Sequence, residues 1–293
     1  MLNHKKLTPY LYLGPCIVML LVFVYIPIIR NIEYSLFEWS VFSPEKTFVG
    51  FKNFTTLFQD AVFYTALKNN LLYAVISVIF QVGGGLIVAA MLEDKLVRRI
   101  SPLFRTMFFL PVIISITVIA LLFDFFYNPQ VGLLNKFLIE IGLENYTRAW
   151  LGETGTAIYA VIAVSQWQSI GYIMMLYIVA MQKIPTELYE AADIDGASKI
   201  QQFFSVTVPQ VKEMTFVVTL VTVTQAFTVF NEPYILTGGG PGNSSQVLGT
   251  YLYHNAFSRD AMGYAAAIAT VVLVITMLIS LVQIKLFKTG KEE

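Results

Sequence analysis

Two polar clusters interrupt long apolar stretches of this sequence and offer side chains suited to binding. They read SQWQSIGY at residues 165–172 and TVTQAFTVFN at residues 222–231. The amides and hydroxyls can hydrogen-bond to hydroxyl groups, and the aromatic rings offer flat apolar faces. The same side chains could instead join neighbouring helices by hydrogen bonds. The candidate binding residues are Trp167, Gln168, Tyr172, Thr222, Gln225 and Asn231.

A second set of chemically distinctive residues lies at 186–209, TELYEAADIDGASKIQQFFSVTVP. In a helix, the carboxylates of Glu187, Glu190 and Asp193 would share one side, because they are three residues apart. Carboxylates can pair with basic groups of a partner, and the two adjacent alanines of this segment allow close approach. We therefore interpret the segment as a docking site for another protein.

Groups needed for catalysis, metal binding or nucleotide binding are missing from the sequence. The two histidines, His4 and His254, belong to no cluster of metal ligands or of nucleophile and base. The stretch GGGPGNSS lacks the Lys of a P-loop. A net charge of zero gives no sign of nucleic-acid binding. A membrane enzyme therefore lacks support, and no cofactor or metal is expected in this chain.

The distribution of apolar residues predicts an all-α polytopic membrane protein. Hydrophobic residues make up 56% of the 293 residues and charged residues only 13%, against about a quarter in soluble domains. Crossing the hydrocarbon core takes about 20 helical residues, because lipid offers backbone groups no other partner. Six segments qualify as transmembrane helices of a single domain over residues 1–293: 10–29, 71–92, 106–126, 158–181, 215–236 and 264–286.

The basic residues predict the orientation of these spans, since Lys and Arg collect on the cytoplasmic side. Twelve share a side with both termini and with residues 186–209: Lys5, Lys6, Lys95, Arg98, Arg99, Arg105, Lys183, Lys199, Lys212, Lys285, Lys288 and Lys291. The other seven are Arg30, Lys46, Lys52, Lys68, Lys136, Arg148 and Arg259. Both termini are therefore expected in the cytoplasm. Glu232, near the outer end of the fifth span, is expected in a water-filled vestibule or paired.

The local sequence predicts two short helices with a kink between them at 186–209. Pro185 cannot continue the preceding span, and Thr186 is placed to cap a helix that begins at Glu187. Gly196 is expected to break the run, because glycine readily adopts a positive φ.

A second helix is expected after this break. Ser198 and Gln201 have the spacing of a capping box, and Pro209 is expected to end the helix. An aromatic and aliphatic cluster is expected beneath it, formed by Ile200, Phe203, Phe204 and Thr207.

The segment resembles the signature loop of a known family, the membrane permease subunits of binding-protein-dependent ABC importers. That loop reads Glu-Ala-Ala, then Asp-Gly-Ala, then a Phe, then an aliphatic residue and Pro. This sequence has Glu190-Ala191-Ala192, Asp195-Gly196-Ala197, Phe203 and Val208-Pro209 at the family spacing. The carbohydrate-uptake branch, which includes the maltose and glycerol-3-phosphate permeases, is similar also at FVGFKNF (48–54), GLLN (132–135), IPTELYEAADIDGA (184–197) and LTGGGP (236–241).

The resemblance implies a type I ABC importer permease fold with six transmembrane helices in a bacterial inner membrane. It also implies that residues 186–209 form coupling helices that dock on a separate ATPase dimer, which would bind ATP and Mg. The implied contact residues are Glu190, Ala191, Ala192, Asp195, Gly196 and Ala197. The other implied partners are a second, homologous permease and an extracytoplasmic sugar-binding protein.

The resemblance further implies that the transported substrate is a sugar. Polar spans with aromatic residues fit an oligosaccharide as well as a polyol phosphate, whereas the lack of Arg or Lys at mid-span disfavours a strongly anionic substrate. The alternative function is that of an ion-coupled secondary transporter. Such a mechanism usually needs ionisable groups deep in the membrane, and the mid-span polar groups here are amides and hydroxyls.

Overall fold

The computed structural model describes residues 4–43, 45–94, 97 and 99–289. In this part of the chain, five helices are long and apolar enough to cross a membrane: Tyr12–Tyr34, Ala61–Glu93, Ala157–Met181, Lys212–Thr237 and Met262–Phe287. Each coincides with one predicted span. The prediction of a mostly helical membrane protein is therefore confirmed. The side chains of Lys5, Lys6, Lys95, Arg98, Lys288 and Lys291, which entered the prediction of orientation, lie outside the described part.

The described residues of the first half form eight α-helices and one short hairpin. Their bounds are α1 (His4–Leu20), α2 (Ile26–Tyr34), β1 (Phe37–Glu38), β2 (Thr47–Phe48), α3 (Lys52–Leu57), α4 (Ala61–Ser77), α5 (Gly84–Glu93), α6 (Ser101–Ile113), α7 (Ile116–Tyr127) and α8 (Leu133–Glu140). Two π-helical turns keep long helices continuous: Leu21–Tyr25 joins α1 to α2, and Val78–Gly83 joins α4 to α5.

The regular elements in the described part of the second half are all helical. Its elements are a 3-10 turn (Glu144–Tyr146), α9 (Ala157–Met181), α10 (Thr186–Ile194), α11 (Lys199–Gln202), α12 (Val208–Gln210), α13 (Lys212–Thr228), α14 (Asn231–Thr237), α15 (Leu248–Tyr253) and α16 (Met262–Thr289). A π-helical turn at Phe203–Thr207 joins α11 to α12, and another at His254–Ser258 follows α15.

The third predicted span, 106–126, is not one straight helix. It forms α6 and α7, which meet at an angle of 99°. Pro111 lies inside α6, where it lacks an N–H for the helical ladder. Ile114 and Ser115 then take extended backbone angles, with ψ of 136° and 133°. The third span is therefore a bent pair of helices, and the sequence pattern did not indicate the bend.

By its contacts, the chain divides into two compact units. The smaller comprises the chain up to Ala61 together with Leu252–Ile275, and the larger comprises Val62–Tyr251 together with the chain from Thr276. The single domain over residues 1–293 stays a prediction.

In the smaller unit, the antiparallel hairpin pairs Phe37 with Phe48. The side-chain amide of Asn53 donates to the carbonyl of Phe37 at 3.0 Å. Asp260 accepts hydrogen bonds from the Ser40 hydroxyl and from the backbone N–H of Val41, the latter at 3.0 Å. These bonds stabilise the charged carboxylate and hold the pKa of Asp260 below its ordinary value. The turn between β1 and β2 is therefore held by the Asp260 carboxylate, which is charged at neutral pH.

The larger unit has a continuous apolar core in which α5 and α9 pack together. Its buried members are Val82, Ala89, Leu92, Ile173, Met174, Tyr177, Ile178, Met181, Ile184, Val211 and Val218. Close helix contact is possible because Gly85 has no side chain: a Cβ there would lie 3.0 Å from Cγ2 of Ile173. The core includes Ile184 and Val211, which flank the segment 186–209 on either side.

Candidate functional site

The segment 186–209 forms the predicted kinked pair of helices. α10 ends at Ile194, Gly196 has a φ of +73°, and α11 begins at Lys199. Ser198 and Gln201 make the full capping box, in which the Ser198 hydroxyl accepts from the Gln201 N–H at 3.4 Å. The break and the second cap are therefore confirmed.

Three details of this segment differ from the expectation. Thr186 is the first residue of α10, the N-cap position is Pro185, and no side chain caps this end. Pro209 does not end the second helix, which continues to Gln210. Proline is tolerated there as one of the first residues after the π-helical turn, where an N–H can be spared.

The third difference concerns the apolar residues expected beneath the second helix. Thr207 is buried and Phe203 half-buried, but the side chains of Ile200 and Phe204 are exposed. On α10, Ile194 is 86% exposed. The polar segment therefore also presents large apolar groups on its surface, which the acidic character of the sequence did not suggest.

The residues expected to contact an ATPase lie around the kink. Glu190, Ala191, Asp195 and Gly196 are exposed, whereas Ala192 and Ala197 are half-buried. Asp193, which the spacing places beside Glu187 and Glu190, accepts a hydrogen bond from Gln202 at 2.5 Å. Of the three carboxylates, that of Asp193 is therefore hydrogen-bonded within the segment.

Apolar contacts fasten this segment to the core, and two hydroxyl pairs lie beside them, one within the segment and one between α9 and α13. Tyr189 on α10 packs against the core, and its hydroxyl lies 2.9 Å from Oγ1 of Thr207. Tyr177 on α9 is fully buried and donates to Oγ1 of Thr215 on α13 at 3.1 Å. The packing of Tyr189 therefore links α10 to the core that contains α9.

The six predicted binding residues all lie in the larger unit, but in different surroundings. The Gln168 amide donates to the carbonyl of Ile114 at 3.3 Å. That carbonyl is freed by the break between α6 and α7, so Gln168 supports the bend in the third span. The Trp167 ring packs on Phe123 of α7 with centroids 5.4 Å apart. Both residues thus have contacts within the chain that stabilise helix packing.

The remaining four candidates divide by exposure. Tyr172 is 43% exposed, and Gln225 and Asn231 are exposed. Thr222 is 2% exposed, and its hydroxyl has no hydrogen-bond partner among the described residues. With Trp167, which is 46% exposed, Tyr172, Gln225 and Asn231 are therefore the candidates with exposed side chains in this chain.

Sequence reasoning missed a buried hydrogen-bond relay across three spans. The Tyr73 hydroxyl donates to Oγ of Ser165, and the Ser165 hydroxyl donates to Oε1 of Glu232 at 2.5 Å. The carboxylate is thus paired, as one of the two expectations had it. A Tyr and a Ser inside apolar helices gave no sign of being its partners, because they are distant in sequence.

A pair of adjacent asparagines on α4 was also missed. Asn70 donates to the carbonyl of Ala226 at 2.7 Å and accepts from the N–H of Leu248 at 2.8 Å. Asn69 donates to the carbonyls of Ser244 and Gln246, both at 2.8 Å. The pair satisfies backbone groups left free where α13 ends and where the Gly-rich connector runs, which explains two buried amides in an apolar helix.

The described residues contain no group of three or more His, Cys, Asp or Glu side chains that could hold a metal ion. The arrangement instead combines spanning helices, a small set of polar groups within them and an exposed kinked helix pair. This combination serves transport better than catalysis.

Comparison with known proteins gives the family. Residues 81–286 match the family described as "Binding-protein-dependent transport system inner membrane component". The chain belongs to this family. It is 68% identical to the probable ABC transporter permease protein YurN of Bacillus subtilis, with all of both chains covered. It is 33% identical to the arabinooligosaccharides transport system permease protein AraP of Halalkalibacterium halodurans, covering 99% of this chain and 92% of AraP.

The fold agrees with a solved structure of this kind of transporter. A chain of the bacterial alginate ABC transporter, in complex with an alginate pentasaccharide-bound periplasmic protein, superposes with a TM-score of 0.83 at 25% identity. The match covers 96% of the permease and 93% of that chain. The permease is therefore a non-catalytic, multi-pass component of an ABC transporter with the type I importer fold, and it works with a binding protein and an ATPase.

Proposed function

We propose that this permease carries an oligosaccharide into the cytoplasm by alternating access. The name of AraP specifies arabinooligosaccharides, and the structural neighbour was crystallised with a periplasmic protein that binds a pentasaccharide. Amides, hydroxyls and aromatic rings within the spans suit a neutral sugar chain. An ion-coupled mechanism is not favoured, because the family depends on a binding protein.

The helix pair at 186–209 is the proposed coupling site to the ATPase dimer, which would bind ATP and Mg. The observation that carries this proposal is an exposed kink whose two flanks, Ile184 and Val211, belong to the core around α9. Closure of the ATPase dimer would push on the kink, and α9 and α13 would move with it. Glu190 to Ala197 would make the contact. This assignment places the segment and both termini in the cytoplasm.

A second, homologous permease would complete the pathway, since transport sites lie between repeated halves. The loaded sugar-binding protein would dock on the opposite, extracytoplasmic side. Trp167, Gln168, Tyr172, Thr222, Gln225 and Asn231 are the proposed substrate-site residues. Of these, Trp167, Tyr172, Gln225 and Asn231 are assigned direct contact because their side chains are exposed, and Gln168 is assigned support of the bent third span.

Replacing Glu190 by Lys is expected to uncouple ATP hydrolysis from transport. The substitution reverses an exposed charge without a neighbour in the segment to clash with, so insertion should be normal. Stimulation of ATPase activity by the loaded binding protein should fall roughly tenfold, the effect of 1–2 kcal/mol at a docking contact. The matched control is Glu213→Lys, an exposed Glu at the start of α13, outside the segment 186–209 but on the same side of the membrane. Equal stimulation in both variants would rule out coupling through Glu190.

The double variant Tyr172→Ala and Gln225→Ala is expected to reduce uptake while basal ATPase activity stays unchanged. The wild-type complex should first be tested in proteoliposomes with labelled arabino-, malto- and chito-oligosaccharides. The oligosaccharide it accumulates then serves as the probe, and the variant should transport it at least about tenfold more slowly, because stacking and amide contacts contribute about 1–2 kcal/mol together. Uptake of none of the three classes would contradict an oligosaccharide substrate.

A further inference from the structure

Gln202 is a buried polar side chain of the kinked segment whose hydrogen bonds reach both of its helices, as does the Thr207 hydroxyl further along the second helix through Tyr189. It is 3% exposed, although most of its neighbours in the segment face solvent. A buried amide is costly unless both of its ends are paired. In Gln202 the amide nitrogen and the amide oxygen both have hydrogen-bond partners. These bonds determine where the side chain lies.

Those partners come from three different parts of the segment. Nε2 donates to Oδ1 of Asp193, near the end of α10, at 2.5 Å. It also donates to the carbonyl of Ala197, just after Gly196, at 3.0 Å. Oε1 accepts from Nζ of Lys199, at the start of α11, at 3.2 Å. One side chain therefore ties the first helix, the turn and the second helix together.

We infer that Gln202 is a positioning residue that fixes the angle between the two coupling helices, so that they move as one body. The inference rests on the proposed coupling role of this segment. The glycine at 196 permits the kink, but it sets no angle by itself because a glycine backbone is flexible. The hydrogen bonds of Gln202 to Asp193 on α10 and to Ala197 in the turn supply the constraint.

The same contacts assign different roles to two carboxylates that the sequence places on one side of α10. Asp193 holds Gln202, and Lys199 lies 3.8 Å from its carboxylate. Glu190 is exposed and offers its charge to a partner. Ile194 and Ile200, both exposed, flank the kink. Their spacing on the docking surface therefore depends on the angle that Gln202 maintains.

The test compares substitutions at Gln202 and at its partner in the complete transporter. Gln202→Leu removes all three hydrogen bonds at similar volume, whereas Asp193→Asn keeps an acceptor for Gln202. Gln202→Leu should reduce the stimulation of ATPase activity by the loaded binding protein roughly tenfold. The KM for ATP and the basal rate should not change, because the nucleotide sites lie on another subunit. Asp193→Asn should retain most of the stimulation.

Two further variants separate positioning from general stability. Gln210→Leu makes the same replacement at an exposed position of the same helical run and should behave as wild type. Asp193→Leu should resemble Gln202→Leu, and the double variant should be no worse than Gln202→Leu, since both single variants remove the same bond between Asp193 and Gln202. Hydrogen exchange at the Gly196–Ala197 amides should be faster in Gln202→Leu.

The outcomes distinguish this inference from the coupling proposal. Faster exchange with full stimulation in Gln202→Leu would overturn the positioning role while leaving the coupling site intact. Additive losses in the double variant would overturn it as well. If Glu190→Lys also keeps full stimulation, the coupling site itself is wrong. The inference is supported if Gln202→Leu loses the stimulation of ATPase activity while Asp193→Asn and Gln210→Leu keep it.

Discussion

Replacing Gly196 by Pro should abolish coupled transport while leaving the spans inserted. Gly196 has a φ of +73°, whereas the proline ring fixes φ near −65°. The turn between α10 and α11 cannot form with proline, at a cost of about 3 kcal/mol or more. ATPase stimulation and uptake in proteoliposomes should therefore fall roughly a hundredfold. Basal ATPase activity should persist, because the ATP-binding sites lie outside this chain.

The surroundings of Gly196 exclude a side-chain clash, so Pro acts through the fixed φ and through loss of the N–H that donates to the Asp193 carbonyl at 3.1 Å. No heavy atom lies within 4 Å of a Cβ built at this position, so a side chain would meet no obstacle. Gly196→Asn is the matched control, because Asn adopts positive φ more readily than other residues and should retain most of the activity. Gly196→Ala should lie between the two, with a strain of about 1–2 kcal/mol. An active Gly196→Pro variant would mean that the kink is not needed for coupling.

Replacing Gly171 by Ala should destabilise the permease more than any other single methyl group added to α9. A Cβ on Gly171 would lie 1.9 Å from the carbonyl oxygen of Phe108, in α6. Backbone atoms cannot rotate away, so the two helices must separate and lose packing, at about 3 kcal/mol or more. We expect the thermal midpoint of the purified protein to fall by roughly 5–10 °C.

Gly155→Ala provides the control for this substitution. It adds the same methyl group just before α9, where nothing lies within 4 Å, and the midpoint should stay within about 1–2 °C of wild type. Size-exclusion chromatography with fluorescence detection, after heating, measures both variants in membranes or detergent. Equal stability of the two would show that α6 and α9 do not meet as closely as 1.9 Å implies.

Much of the architecture is determined by local sequence. Long apolar runs must be helical in lipid, because only a helix satisfies their backbone groups internally. The predicted runs accordingly coincide with helices, and Gly196, Ser198 and Gln201 mark the kink and the second cap, since glycine conformation and capping involve only residues a few positions apart. The family signature at residues 190–209 depends on the same local order, which is why it could be read without a structure.

Bends and pairings that involve distant residues required the tertiary structure. The third span bends by 99° at residues 114–115 because Pro111 weakens α6, and a distant amide, that of Gln168, satisfies a freed carbonyl. The Glu232 carboxylate pairs with Ser165, 67 positions earlier in the chain. Neither contact is visible in spacing, since each depends on how separate helices pack.

In the kinked segment, residues 186–209, local sequence likewise determines the helices, and the tertiary structure determines the pairing of their side chains. Its sequence determined that a kinked, capped and acidic helix pair would form, and helical geometry alone put Glu190 and Asp193 on one side. Only the tertiary structure separated them: it bonds Asp193 to the buried Gln202 and leaves Glu190 exposed. Periodicity fixes the direction of a side chain around its own helix, whereas its partner depends on the angle at which the next helix crosses.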